Sequence, residues 1–167
     1  MKQLIYCYFV NVWQILALLS VSACLHAEVP VSTNPAPDLI FQALDGQSIS
    51  LSRLKGNVVV LNFWGIWCTP CKKETPDLVA LQKQFSDKGV MVIGAAMDHG
   101  NEKAVKAFAK QYSVNYPLII ASPMLIHTFS VMVAPTTIII DQAGTIVFRQ
   151  VGAISRQDFI RRLTGLL

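Results

Sequence analysis

Val58-Val59-Val60-Leu61-Asn62-Phe63-Trp64 is an apolar run with one polar residue in seven. Such a run predicts a central strand buried on both faces. A charged stretch, Lys72 to Lys88, follows it, with Leu78, Leu81 and Phe85 recurring at helical spacing. Pro76 inside that helix predicts a kink, and Gly89 a stop. Val90 to Ala96 is again apolar and predicts the neighbouring buried strand.

The pattern then alternates. Glu102 to Tyr112 places Val105, Phe108, Ala109 and Tyr112 on one helical stripe. Tyr116 to Ala121 reads as a brief strand, and Ser122-Pro123 as the cap of a short helix through Phe129. Thr136 to Ile140 and Thr145 to Arg149 flank Asp141-Gln142-Ala143-Gly144 and predict an antiparallel hairpin. Ser155 and Asp158 have capping-box spacing, opening a last helix with Phe159, Ile160, Leu163, Leu166 and Leu167 inward. Upstream, Phe41 to Leu51 predicts a short hairpin around Asp45-Gly46, and Ser52 to Lys55 one turn before Gly56-Asn57. The core order of strand, helix, strand, helix, strand, strand, helix predicts an α/β domain, a mixed sheet with helices on both faces.

The first residues follow another pattern. After Lys2, an apolar run from Leu4 to Cys24 ends in small residues and Leu25-His26-Ala27. It reads as a secretory signal, residues 1–27, cleaved after Ala27. Two other readings stand. Val21-Ser22-Ala23-Cys24 resembles a bacterial lipobox, which makes Cys24 a lipidated first residue. The run is also long enough to cross a membrane uncut, as an anchor. Each reading puts the domain in the periplasm or elsewhere in the cell envelope. Pro30, Pro35 and Pro37 among Ser, Thr and Asn mark residues 28–37 as a linker, leaving 38–167 as one domain.

Composition adds little beyond this. The leader accounts for much of the 53% hydrophobic content and the mean hydropathy of +0.45. The formal charge of +4 becomes +3 without residues 1–27, which hold Lys2 and no acid. The basic residues are scattered apart from Lys72-Lys73 and Arg161-Arg162, so no nucleic-acid partner is expected.

Of four cysteines, Cys7 and Cys24 lie in the leader. Cys68 and Cys71 remain, spaced CxxC where the first core strand hands over to its helix. Two thiols at that spacing can close a small disulfide, and a helix N-terminus favours a thiolate. Cys68 is expected to be the exposed nucleophile. Cys71, one turn further in, is expected to be more buried and to resolve the mixed disulfide. A zinc site needs more ligands than this pair offers. His99 and His127, without paired spacing, are the other soft candidates, so no metal is expected.

Two segments resemble the thioredoxin superfamily, and within it the exported TlpA/ResA/DsbE-like thiol–disulfide oxidoreductases. One is Asn62-Phe63-Trp64-Gly65-Ile66-Trp67-Cys68-Thr69-Pro70-Cys71-Lys72-Lys73-Glu74-Thr75-Pro76. The other is Val133-Ala134-Pro135-Thr136-Thr137, followed by Ile138-Ile139-Ile140-Asp141 and Gly144. The resemblance spans roughly residues 37–165. It implies a thioredoxin-like fold with an N-terminal β-hairpin extension, dithiol catalysis by Cys68 and Cys71, and no metal or organic cofactor. It further implies protein disulfide or dithiol substrates, a membrane electron donor and a reductive role serving cytochrome c maturation.

The resemblance also assigns residues. Pro135 matches the family's cis-proline opposite the disulfide, and Ala134 before it would pair with an extended substrate. Thr69 and Pro70 between the cysteines set the redox poise, and Trp67 covers one side of the site. Trp64 either does the same from the strand end or packs in the core. Asn62 departs from cytoplasmic thioredoxins, which carry a buried Asp there. The proton role is then absent or moved, and Asp98, at the end of the next strand, is the expected acceptor from Cys71 through water. A solvated loop acid or helix cap is the other reading of Asp98.

Three other functions compete. A disulfide-donating oxidase uses the same residues in reverse, but DsbA-like oxidants carry an inserted helical domain, and Gly100 to Pro123 has room for one helix and one strand. A peroxide-reducing cysteine, as in peroxiredoxins, needs Thr or Ser three residues earlier, where Gly65 stands. A binding or chaperone-like module would carry the CxxC incidentally.

Overall fold

The structure, a computed structural model, describes residues 34–167. The expected leader, with Cys7 and Cys24, lies outside the described residues.

Two antiparallel strands, β1 (Ile40–Gln42) and β2 (Ser48–Ser50), form the N-terminal hairpin. A 3-10 turn at Leu51–Leu54 leads to β3 (Val58–Trp64) and helix α1 (Thr69–Phe85). After the 3-10 turn Ser86–Lys88 come β4 (Val90–Ala96), α2 (Glu102–Gln111), β5 (Leu118–Ile120) and α3 (Pro123–Thr128). The chain closes with β6 (Thr136–Ile140), β7 (Ile146–Val151) and α4 (Arg156–Thr164). The five-stranded sheet has the order β5-β4-β3-β6-β7. β3 pairs parallel with β4 and antiparallel with β6, so the sheet is mixed as expected and the fold is thioredoxin-like.

All seven residues of β3 are buried, because the strand is central and covered twice. Alternation divides its side chains between two layers. Val58, Val60 and Trp64 meet Leu78 and Leu81 of α1, Phe108 of α2 and Phe159 of α4 in one core. Val59, Leu61 and Phe63 meet Phe41 and Ile49 of the hairpin, with Leu125 and neighbouring Phe129 of α3, in the other. Leu81 is fully buried in the first core. Leu81→Ala is expected to lower stability by about 2–5 kcal/mol through a cavity under the sheet, read as a lower urea midpoint with unchanged slope.

The ends of two helices refine the sequence reading. α1 begins at Thr69, ahead of the charged stretch and with Cys68 as its cap, because Pro70 sits where a first helical turn needs no N–H. Pro76 lies inside this helix, as expected. α4 ends at Thr164; Leu166 packs half-buried against the core as expected, whereas Leu167 is 46% exposed instead of inward. The end of the expected linker is tied to the domain. Asn34 O accepts from Ile146 N at 2.9 Å, Ala36 N donates to Gly144 O at 2.8 Å, and Pro35 bridges Thr145. A proline at this outer edge is tolerated because the ladder there needs no donor from it.

Candidate active site

The end of β3 and the start of β6 are neighbours, with Phe63 opposite Thr136. The loop Gly65–Trp67 and the loop Met132–Pro135 therefore emerge side by side at one pole of the sheet. Cys68 caps α1, and Cys71 lies in its first turn. Their sulfurs are joined in a disulfide of 2.05 Å, with Cα atoms 5.3 Å apart. Cys71 N donates to Cys68 Sγ at 3.3 Å. This backbone N–H and the helix end both favour negative charge on Cys68 once the disulfide opens.

One expectation is corrected here. Cys68 is not exposed in the disulfide form. It is 4% exposed against 2% for Cys71, because the capping sulfur folds over the helix end. What separates the two cysteines is the cap position more than exposure.

The surroundings are described residue by residue. Thr69 and Pro70 are exposed at the start of α1. Trp67 is 61% exposed, and its ring lies against Gly65, where a Cβ would come within 2.6 Å of the indole. Gly65 thus gives the tryptophan its seat, and no hydroxyl-bearing residue fits there undisturbed. Trp64 takes the core alternative, 4% exposed, its ring 4.6 Å from that of Phe108. The Ala134–Pro135 bond is cis. Pro135 is buried, and Ala134 is half-buried against the core that includes both cysteines. Among the described residues the backbone N–H and C=O of Ala134 have no partner. Met132 and Val133 beside it are 87% and 49% exposed.

Asp98 is 7% exposed, so it is not a solvated loop acid, and α2 has no side-chain cap. Its Oδ2 accepts from Ile66 N at 3.0 Å, which ties the end of β4 to the loop entering Cys68. His99 and His127 are exposed.

The sequence reading missed Glu74. It stands on α1 three residues after Cys71, hence on the same helix face, and is 3% exposed. Oε2 accepts from Asn62 Nδ2 at 3.1 Å, and Oε1 from Ile154 N at 2.8 Å. Asn62 also donates to Thr137 Oγ1 at 2.9 Å. Burial pushes the Glu74 carboxyl up, the two hydrogen bonds oppose this, and Asp77 adds to it by charge repulsion. An available signal was Asn62 itself, a polar residue in a buried strand that must find a partner.

The raised pKa has a consequence for stability. The folded protein holds this proton at pH values where the unfolded chain, near the usual glutamate value of about 4.3, has released it. Stability from this group is therefore full below the unfolded value and is lost as pH rises through the folded one. Melting of the oxidised wild type and Glu74→Gln between pH 4 and 8 is expected to show the wild type losing ground with rising pH. A relative gain by the wild type would reverse the sign.

Comparison with known proteins agrees with this geometry. Residues 33–149 match the model of the AhpC/TSA family. A thiol-disulfide oxidoreductase ResA of Bacillus cereus is 38% identical over 133 residues, which cover 77% of this chain and 76% of ResA. The crystal structure of a thiol:disulfide interchange protein of the thioredoxin family from Chlorobium tepidum TLS superposes with a TM-score of 0.75 at 32% identity, covering 81% of this chain and 97% of that one. That of the pneumococcal exposed lipoprotein thioredoxin Etrx1, from Streptococcus pneumoniae strain TIGR4, gives 0.67 at 29%, covering 78% and 100%.

Proposed function

The chain belongs to the AhpC/TSA family and is a thioredoxin-fold thiol–disulfide oxidoreductase; from that premise we propose that it reduces protein disulfides in the cell envelope. The observation that carries this reading is the Cys68–Cys71 disulfide at the cap of α1, beside the Ala134–Pro135 loop.

In the reduced protein the Cys68 thiolate attacks a substrate disulfide. One substrate sulfur leaves as a thiolate and takes up a proton, while the other stays bonded to Cys68. Cys71 then loses its proton to the Glu74 carboxylate and attacks Cys68 Sγ. The internal disulfide forms, the second substrate thiol leaves, and two electrons have passed to the substrate. Glu74 suits the task, since its raised pKa brings it closer to a thiol's. Asp98 is then a positioning residue for the loop before Cys68 rather than the proton acceptor. The unpaired backbone of Ala134 offers an extended substrate segment one donor and one acceptor. Trp67, Thr69 and Pro70 form the exposed rim around it.

Two observations favour a reductant over an oxidase or peroxidase. Between Gly100 and Pro123 only α2 and β5 intervene before α3, with no inserted domain. The peroxidase hydroxyl position is Gly65, under the Trp67 ring. An envelope location draws on the apolar leader at residues 1–27 and on the likeness to an exposed lipoprotein. A membrane electron donor that restores the dithiol, and cytochrome c maturation as the pathway served, complete the proposal.

The reduction potential of the pair tests the direction of flow. Equilibration against glutathione or dithiothreitol is expected to give a value near the thioredoxin end, about −270 mV. A value towards about −120 mV makes the protein an oxidase and ends the cytochrome c proposal.

A further inference from the structure

Trp64 closes β3, yet its indole turns back along the sheet. The residue is 4% exposed, and its Nε1–H has no hydrogen-bond partner. A buried donor left unpaired is rare and costly, and calls for an acceptor.

The place of this donor is well defined. A Cβ at Gly94 would lie 3.0 Å from Trp64 Nε1, 2.5 Å from Leu118 Cδ2 and 3.1 Å from Tyr116 Cε2. The indole N–H thus occupies space that any other residue at position 94 would fill. Phe108 packs at a tilt against the indole and stacks on Tyr112, with centroids at 4.6 and 4.2 Å, and holds it there. Gly94 is the register partner of Asn62 on the neighbouring strand. Asn62 in turn carries the Glu74 carboxylate. Adjacent strands lie about 4.8 Å apart, so donor and carboxylate stand over neighbouring positions of one sheet face.

Tyr116 supplies a third side. Its ring is buried, its Cε2 is within about 6 Å of Nε1, and burial, then the charge of Glu74, push its phenol up. The other groups facing Glu74 are Asn62, the Ile154 N–H and Asp77.

We propose that Trp64 is a positioning residue for the thiol chemistry: its Nε1–H donates to one internal water that also donates to Glu74 and meets the Tyr116 hydroxyl. The inference rests on Glu74 being the acceptor of the Cys71 proton. Three polar partners are enough to hold such a water. A donor reaching the ionised carboxylate favours that form and restrains the upward push of burial. Trp64 thereby sets the pH at which Glu74 is free to take a proton, and Gly94 is the residue that makes room for it.

The test uses the full-length reduced protein labelled with 15N at the indoles. The Trp64 Nε1–H resonance, identified by its loss in Trp64→Phe, is followed against pH, and the release rate of a mixed disulfide is measured over the same range. The expected result is that the resonance titrates together with the ascending limb of the rate and becomes flat in Glu74→Gln. Trp64→Phe is expected to move that limb upward by about one pH unit while keeping the plateau rate. Where the limb is lost in Glu74→Gln, a wild-type resonance that ignores the limb, or a limb that stays in place in Trp64→Phe, overturns the proposal. A limb that survives Glu74→Gln instead removes Glu74 as the base. The water link is then still decided by whether the resonance titrates in wild type and not in Glu74→Gln.

Discussion

Cys71→Ser is expected to stop turnover after a single covalent event. The Cys68 thiolate still attacks a substrate disulfide, but the hydroxyl that replaces Cys71 cannot displace it. The mixed disulfide should accumulate with one substrate per protein, visible as a mass increase that dithiothreitol removes. Cys68→Ala, by contrast, should form no adduct and lose roughly 10³-fold or more of insulin-reducing activity, the scale seen when a catalytic nucleophile is removed. Both replacements retain small side chains at the helix start, so folding is expected to survive. A binding or chaperone-like module with an incidental CxxC would keep its activity in Cys68→Ala, and that result would end the enzymatic reading. Trapping by Cys68→Ala with Cys71 intact would exchange the roles of the two cysteines.

Glu74→Gln is expected to slow release of the substrate by about 10²-fold near neutral pH, within the usual range for a positioned base. The first attack, by Cys68, should change far less, because the helix end and the Cys71 N–H that favour its thiolate are untouched. The amide keeps an acceptor for Ile154 N, so the variant should remain folded. Stopped-flow release of a preformed mixed disulfide separates the two steps. A release rate within about twofold of wild type at every pH would remove the glutamate from the chemistry. Glu74→Leu is a harsher change. It leaves one Asn62 amide N–H and the Ile154 N–H without a partner, at about 1–3 kcal/mol for each orphaned donor, while the Asn62 bond to Thr137 stays, and a loss of stability there is no evidence about catalysis.

These two variants also mark how far the sequence could be read. The Val58–Trp64 strand, the CxxC at its end and the Pro135 loop were legible because each depends on local pattern or local motif. The start of α1 at Cys68–Thr69 is equally local, since Thr69-Pro70 meets the needs of a first turn. Glu74 was missed. Between Lys73 and Thr75 it reads as one more charge on a solvated helix. Its burial depends on Asn62, 12 residues earlier, and on Ile154, 80 residues later. No local pattern carries a contact of that range. The burial of Cys68 was equally hidden, since it depends on how its sulfur folds over the helix end. For Asp98, the resemblance offered a proton acceptor and left a solvated or capping role open; its burial and its hydrogen bond to Ile66 emerge only from the packing of β4 against the Gly65 loop.

The Asn34–Ala36 segment has a bearing on geography. It lies along Gly144–Ile146, at the turn between β6 and β7. Ile140, at the start of that turn, pairs with Val59, whereas Thr136 at the other end of β6 pairs with Phe63 beside the disulfide. The chain therefore enters the domain at the pole opposite the cysteines. The seven residues of β3 separate the two poles by about 20 Å. A partner that docks on the disulfide therefore meets the end of the domain that does not receive the Asn34–Ala36 segment.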